Sequence, residues 1–209
     1  MSVTWTAFVA GVVLSLSTIA ALGPQNVHIL RMGLMRQHVA LTVLVCLLGD
    51  ALLIGLSVAG LSQLLAGQVR LQGALVGAGA VFLLAYGWQA AQRARPSAAR
   101  DWRALTPQAK VWTRRQAVVA ALGFSLLNPH AWLDTAVIIG TASLAWGQHD
   151  APWFGAGALT GSALWFVLFA ALAVALGRRL QGQGLWRAMD ALVAAMMWGM
   201  ALWLLSSLW

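Results

Sequence analysis

Apolar residues run through this chain in six long stretches, 5–30, 39–64, 71–92, 116–146, 152–177 and 185–208, separated by short polar or basic connections. A helix needs about 20 apolar residues to cross the bilayer core, so each stretch predicts a transmembrane helix. Two of the six are interrupted. Gly23-Pro24-Gln25-Asn26 follows the run 7–22, and Asn128-Pro129-His130 follows the run 117–127, which also makes the fourth stretch overlong. Proline removes a backbone donor and breaks the helical ladder, and hydrocarbon offers the freed groups no other partner. Such breaks are tolerated in a membrane only where they are buried in protein or line a cavity. The two prolines lie 105 residues apart, about half the chain. Paired breaks at comparable places in two halves point to a transporter's substrate site.

Three spans per half means that the second half enters the membrane from the opposite side. The expected fold is therefore an all-α integral membrane protein, with six transmembrane helices as two inverted three-helix repeats and helices 1 and 4 broken. The first repeat covers 1–92, a basic cytoplasmic linker 93–115, and the second repeat 116–209. The basic residues set the orientation. Arg31, Arg36, the cluster from Arg93 to Arg115, and Arg178, Arg179 and Arg187 fall on one side, which leaves Arg70 alone on the other. By the positive-inside rule the linker is cytoplasmic and both termini are periplasmic or extracellular. Trp5, Trp88, Trp112, Trp146, Trp153, Trp186 and Trp209 stand near predicted span ends, where an amphipathic ring suits the interface. The first run continues into Gly-Pro-Gln-Asn rather than a cleavage site, so it is expected to be a retained span.

Composition agrees. Of 209 residues 61% are hydrophobic and 9% charged, with a mean hydropathy of +0.79, against roughly a quarter charged in soluble domains. The net charge of +8 sits in the connections, which reads as orientation signal and excludes a nucleic-acid partner. Cys46 is alone and reads as a small core residue. Gly73 with Gly77, and Gly157 with Gly161, let helix backbones approach closely. Packing within the subunit is the expectation for both pairs, with a homodimer the alternative. No hydrolase, zinc-protease or nucleotide-binding motif occurs, so neither an enzyme nor a cofactor is expected.

The acidic residues are five aspartates. Asp101 and Asp150 fall in connections and read as solvated, and Asp190 is three residues after Arg187 and reads as its helix-face partner. Asp50 stands mid-span, and Asp134 stands six residues past Asn128. Intramembrane carboxylates usually face a bundle interior or a wet cavity, and with no intramembrane Lys or Arg they seek a cation. A proton, a metal ion and a cationic substrate all fit. Gln25, Asn26 and Asn128 add amides at the breaks, and half-helix N-termini after Pro24 and Pro129 suit a carboxylate. An amino acid with a cationic side chain needs both kinds of partner, although many polar solutes fit such a site. His130, four residues before Asp134 on one helix face, reads equally as a proton relay or as a partner for a freed carbonyl. His28 is a weaker candidate, and His38 and His149 read as wet. Met196, Met197 and Met200 read as core packing.

These residues carry a resemblance. Gly23-Pro24-Gln25-Asn26 with His28-Ile29-Leu30-Arg31-Met32-Gly33-Leu34, Gly49-Asp50-Ala51-Leu52-Leu53-Ile54, and Asn128-Pro129-His130-Ala131-Trp132-Leu133-Asp134-Thr135 resemble three signatures of the LysE/ArgO basic amino acid exporters. Gln25, His130 and Asp134 set the chain apart from the related homoserine/threonine-type exporters. The resemblance implies a secondary transporter that exports arginine and/or lysine across the bacterial inner membrane, driven by the membrane potential and protons. Another amino acid or a metal cation is the alternative cargo. The expected substrate-binding residues are Asp50, Asp134, Gln25, Asn26, Asn128 and His130, with the helix breaks at Gly23, Pro24 and Pro129.

Overall fold

A computed structural model describes residues 3–19, 23–61, 69–95, 111–132, 135, 138–177 and 183–206, and every element among them is helical. Helices α1 (Val3–Ile19) and α2 (Pro24–Met35) flank the first break and are bent by 79° to one another. Pro24 sits in the first turn of α2, where its missing N–H costs nothing, after an extended Gly23 (φ −82°, ψ 173°). The helix ends at Arg36 in the left-handed region (φ 56°). There the Arg36 and Gln37 amides donate to the carbonyls of Gly33 and Met32, at 3.0 and 3.1 Å. Helix α3 (Val39–Leu56) runs on into a π turn, Ser57–Leu61, interrupted by Gly60 at φ 97°.

After α4 (Val69–Ala94), the fourth apolar stretch divides into α5 (Arg114–Leu126), α6 (Pro129–Trp132) and α7 (Gly140–Leu144). Helix α5 opens on a capping box in which Thr113 and Gln116 each bond the other's backbone N–H. Helices α8 (Gly147–Leu176) and α9 (Gln183–Ser206) complete the chain. The described part of each predicted apolar stretch is thus helical, and the chain is broken at both predicted places. Val39–Gly60 and Gly147–Leu176 are long and apolar enough to cross a bilayer, and α1 with α2 makes a third such span when counted as one bent unit. Leu44, Leu48, Leu168 and Leu172 point outward, as a lipid-facing surface requires. The protein is an all-helical membrane protein.

Helix α1 packs along α8, α4 packs along α9, and α3 contacts both α5 and α8. The α1–α8 seam is the tightest. A Cβ on Gly11 would collide with the Phe154 carbonyl, and one on Gly157 would collide with the Phe8 carbonyl. A Cβ on Gly161 would come to 2.9 Å from the Val12 carbonyl. This pair packs within the subunit, as expected. For Gly73 and Gly77 no such contact occurs among the described residues, since a Cβ at either would meet none of them within 4 Å. Small size permits close approach but does not create it, and no described helix of this chain lies against that face.

Candidate functional site

A cavity of about 460 Å³ lies where the first break meets α3, α8 and α9. Gly23, Gln25, Asn26, Asp50 and Asn128 all line it, so residues up to 105 positions apart converge there. Asp50 is the only charged residue among the described lining residues. It is 9% exposed, and its Oδ1 accepts a hydrogen bond from Gln25 Nε2 at 3.3 Å. The start of α2 faces the same space, and the first N–H groups of a helix favour negative charge. One wall therefore offers a carboxylate and another offers a helix N-terminus.

Both breaks are repaired in the same way. Asn26 Nδ2 donates to the carbonyl of Ile19 at 2.8 Å, and Trp132 Nε1 donates to the carbonyl of Leu126 at 2.7 Å. In each case a side chain from beyond the break satisfies a carbonyl left over by the preceding half-helix. Asn26 Oδ1 also accepts from Trp165 Nε1 at 3.1 Å, which ties the break to α8. Replacing Asn26 by Ala is expected to lower stability by about 1–3 kcal/mol, because the Ile19 carbonyl loses this donor. Thermal unfolding in detergent reads the change.

Asp134 lies outside the described residues, as does Asp101, and of His130 only the backbone, in α6, is described. Sequence reasoning missed Ser15, Thr18, Thr135 and Ser162, which also line the cavity. Ser15 and Ser162 hydroxyls lie 3.3 Å apart across the α1–α8 seam, and Ser162 is also a neighbour of the Asp50 carboxylate. The signal was present, because Ser15 follows Gly11 by four residues and Ser162 follows Ala158 by four, which places both on the small-residue seam. The methionine patch on α9 divides, with Met197 buried in the core and Met196 and Met200 on the cavity beside Trp203.

Two other expectations change, and a third residue gains a partner. Asp150 is largely buried rather than solvated, and accepts from the Thr4 hydroxyl at 3.0 Å and lies 3.1 Å from His149 Nδ1. His38 is half-buried with its ring 2.7 Å from the Trp112 carbonyl, whereas His149 is exposed as expected. Asp190, expected beside Arg187, also pairs across the fold with Arg31, at 3.2 Å, a contact that no local spacing could reveal. Cys46 is fully buried, in keeping with its reading as a core residue.

Residues 16–208 match the LysE type translocator family. The chain is 32% identical over 205 residues to the arginine exporter protein ArgO of Pectobacterium atrosepticum, covering 98% of this chain and 99% of that protein. It is 36% identical to the arginine exporter protein ArgO of Serratia proteamaculans, over 93% of this chain and 94% of that one. The arginine exporter protein ArgO of Yersinia enterocolitica is 35% identical, over 93% of each chain. No solved structure matches. With two helix breaks meeting at a cavity lined by Asp50, and with similarity along nearly its whole length, this chain belongs to the LysE type translocator family and is a transporter rather than an enzyme.

Proposed function

We propose that the protein exports basic L-amino acids, arginine and/or lysine, outward across the bacterial inner membrane as a secondary transporter. The observation that carries this reading is Asp50, the one charged side chain among the described residues of the cavity, held by Gln25 from the first turn of α2. The carboxylate takes the guanidinium or ammonium of the substrate, and the α2 N-terminus with the Asn128 amide takes its α-carboxylate. The relatives named as arginine exporters support arginine as cargo.

In this reading the chain forms two inverted three-span repeats, 1–92 and 116–209, joined by the basic linker, with both termini periplasmic. The packing supports it. The first broken span contacts the second span of the other half, α1 on α8, and the reciprocal contact is α5 on α3, while α4 on α9 joins the two last spans. A two-fold relation between halves requires such reciprocity. Asp134, with His130, is the second half's contribution. Asp50 binds either the substrate cation or a proton, which couples export to the proton gradient and the membrane potential as one repeat rocks against the other.

Proteoliposomes preloaded with labelled arginine, lysine or leucine test the proposal under an imposed potential and pH gradient. Arginine, lysine or both are expected to leave and leucine to stay. Release of neither basic amino acid overturns the assignment.

A further inference from the structure

The cavity ends short of one face of the molecule, and past its end lies an ion pair that substrate binding does not use. On α2, Gln25 and Asn26 stand at the cavity, and Arg31 lies five residues beyond Asn26. On α9, Met196, Gly199 and Met200 stand at the cavity, and Asp190 lies six residues before the first of them. The offsets are about 7.5 and 9 Å along helices rising 1.5 Å per residue. There Arg31 Nη1 donates to Asp190 Oδ1 at 3.2 Å, with the two side chains only 11% and 15% exposed. The Trp112 ring lies 6.0 Å from the guanidinium, close enough to add a cation–π attraction.

Between this pair and the cavity the path is filled. Val27, Tyr86, Phe124, Val193 and Ala194 share one core cluster. The buried His28 ring extends that cluster, 5.0 Å from Phe124 and 5.8 Å from Trp112. The pair thus joins one helix from each half of the chain beyond an apolar plug, on the side marked by the α2–α3 connection.

We propose that Arg31 and Asp190 form the gate that closes this end of the transport path, and that they separate when the cavity opens toward that side. The proposal rests on the alternating-access reading above. The physical argument is one of hydration. Pulling two buried ions apart in a dry interface strands both charges, so partial opening is disfavoured. Pulling them apart while water enters hydrates both, so a fully open passage is tolerated. A shielded ion pair therefore favours two states, closed and wet, over anything between. Arg31 and Asp190 are positioning residues, since neither touches the cavity.

A thiol at the cavity reads the gate. Gly199→Cys is suitable, because Gly199 lines the cavity and a Cβ there meets nothing within 4 Å. The native Cys46 is buried, and parent protein without the new thiol gives its background. Reconstituted protein is labelled with a membrane-impermeant maleimide from each side in turn, and Arg36→Cys in the exposed α2–α3 connection identifies the side of the pair. With the pair intact, Gly199→Cys should label predominantly from the opposite side. Arg31→Gln or Asp190→Asn should raise labelling from the pair's side by roughly tenfold. Exchanging the charges, Arg31→Asp with Asp190→Arg, should bring it back down.

Unchanged labelling in both neutralised variants, or no recovery on charge exchange, would overturn the gate and leave a structural clasp. Where a neutralised variant is not recovered folded, Arg31→Lys keeps a cation opposite Asp190 but loses the planar guanidinium. It should raise pair-side labelling a few-fold, and no rise would equally overturn the proposal. The readout needs no substrate, so a failure of arginine to move would count against the cargo without touching this result.

Discussion

Asp50→Asn is expected to abolish export of arginine and lysine, with initial efflux falling at least about a hundredfold in proteoliposomes while the protein remains folded. The substitution is nearly isosteric and retains an oxygen to accept the Gln25 amide, which now donates at 3.3 Å. What it removes is the only charge among the described lining residues of the cavity. A cation leaving water for this site would then face neutral groups alone. Truncating one partner of a buried charge pair typically costs about 3–5 kcal/mol, or more than two powers of ten in occupancy. Efflux rates normalised to folded protein provide the measurement. If Asp50→Asn keeps more than about a tenth of the wild-type rate, the cation is held elsewhere.

The second large effect concerns the seam that builds the cavity wall. Gly157→Leu and Gly11→Leu are each expected to collapse the yield of folded protein, or to lower its melting temperature in detergent by at least about 5 °C. The new side chain would strike the carbonyl of Phe8 or of Phe154, on the backbone of the facing helix. A flexible side chain can yield to such a contact, but a helix backbone cannot, so α1 must move off α8. That movement also pulls apart the Ser15–Ser162 contact and opens the wall that carries both serines. Gly55→Leu is the matched control, because Gly55 is exposed and its Cβ would meet nothing within 4 Å. Equal melting of all three variants would show that the seam is looser than the packing indicates.

These two predictions rest on different kinds of information. Asp50 was legible because a carboxylate amid Leu, Gly and Ala in a membrane span is costly, whatever the surrounding fold. Pro24 and Pro129 were legible for a similar reason, since a missing N–H breaks a helix from within. The seam serines were harder to see. Ser and Thr can bond their own helix backbone, as Thr18 does with the carbonyls of Leu14 and Ser15, so their presence alone does not mark a cavity. The capping box at Thr113 and Gln116 was readable locally, and it starts α5 two residues before the apolar run suggested.

The order of apolar runs, the two breaks, the membrane-spanning character and the lone mid-span charge of Asp50 were determined by the sequence by itself. Each follows from the chemistry of a residue and its immediate neighbours in hydrocarbon. Only the tertiary structure decided which faces meet. It set Gly157 and Gly161 against α1 while leaving Gly73 and Gly77 open, and it brought Met196 and Met200 to the cavity but Met197 to the core. It also joined Arg31 to Asp190 across 159 residues. Side chains on one helix point in every direction around its axis, and only the positions of the other helices determine which of those directions is a seam, a cavity or the lipid.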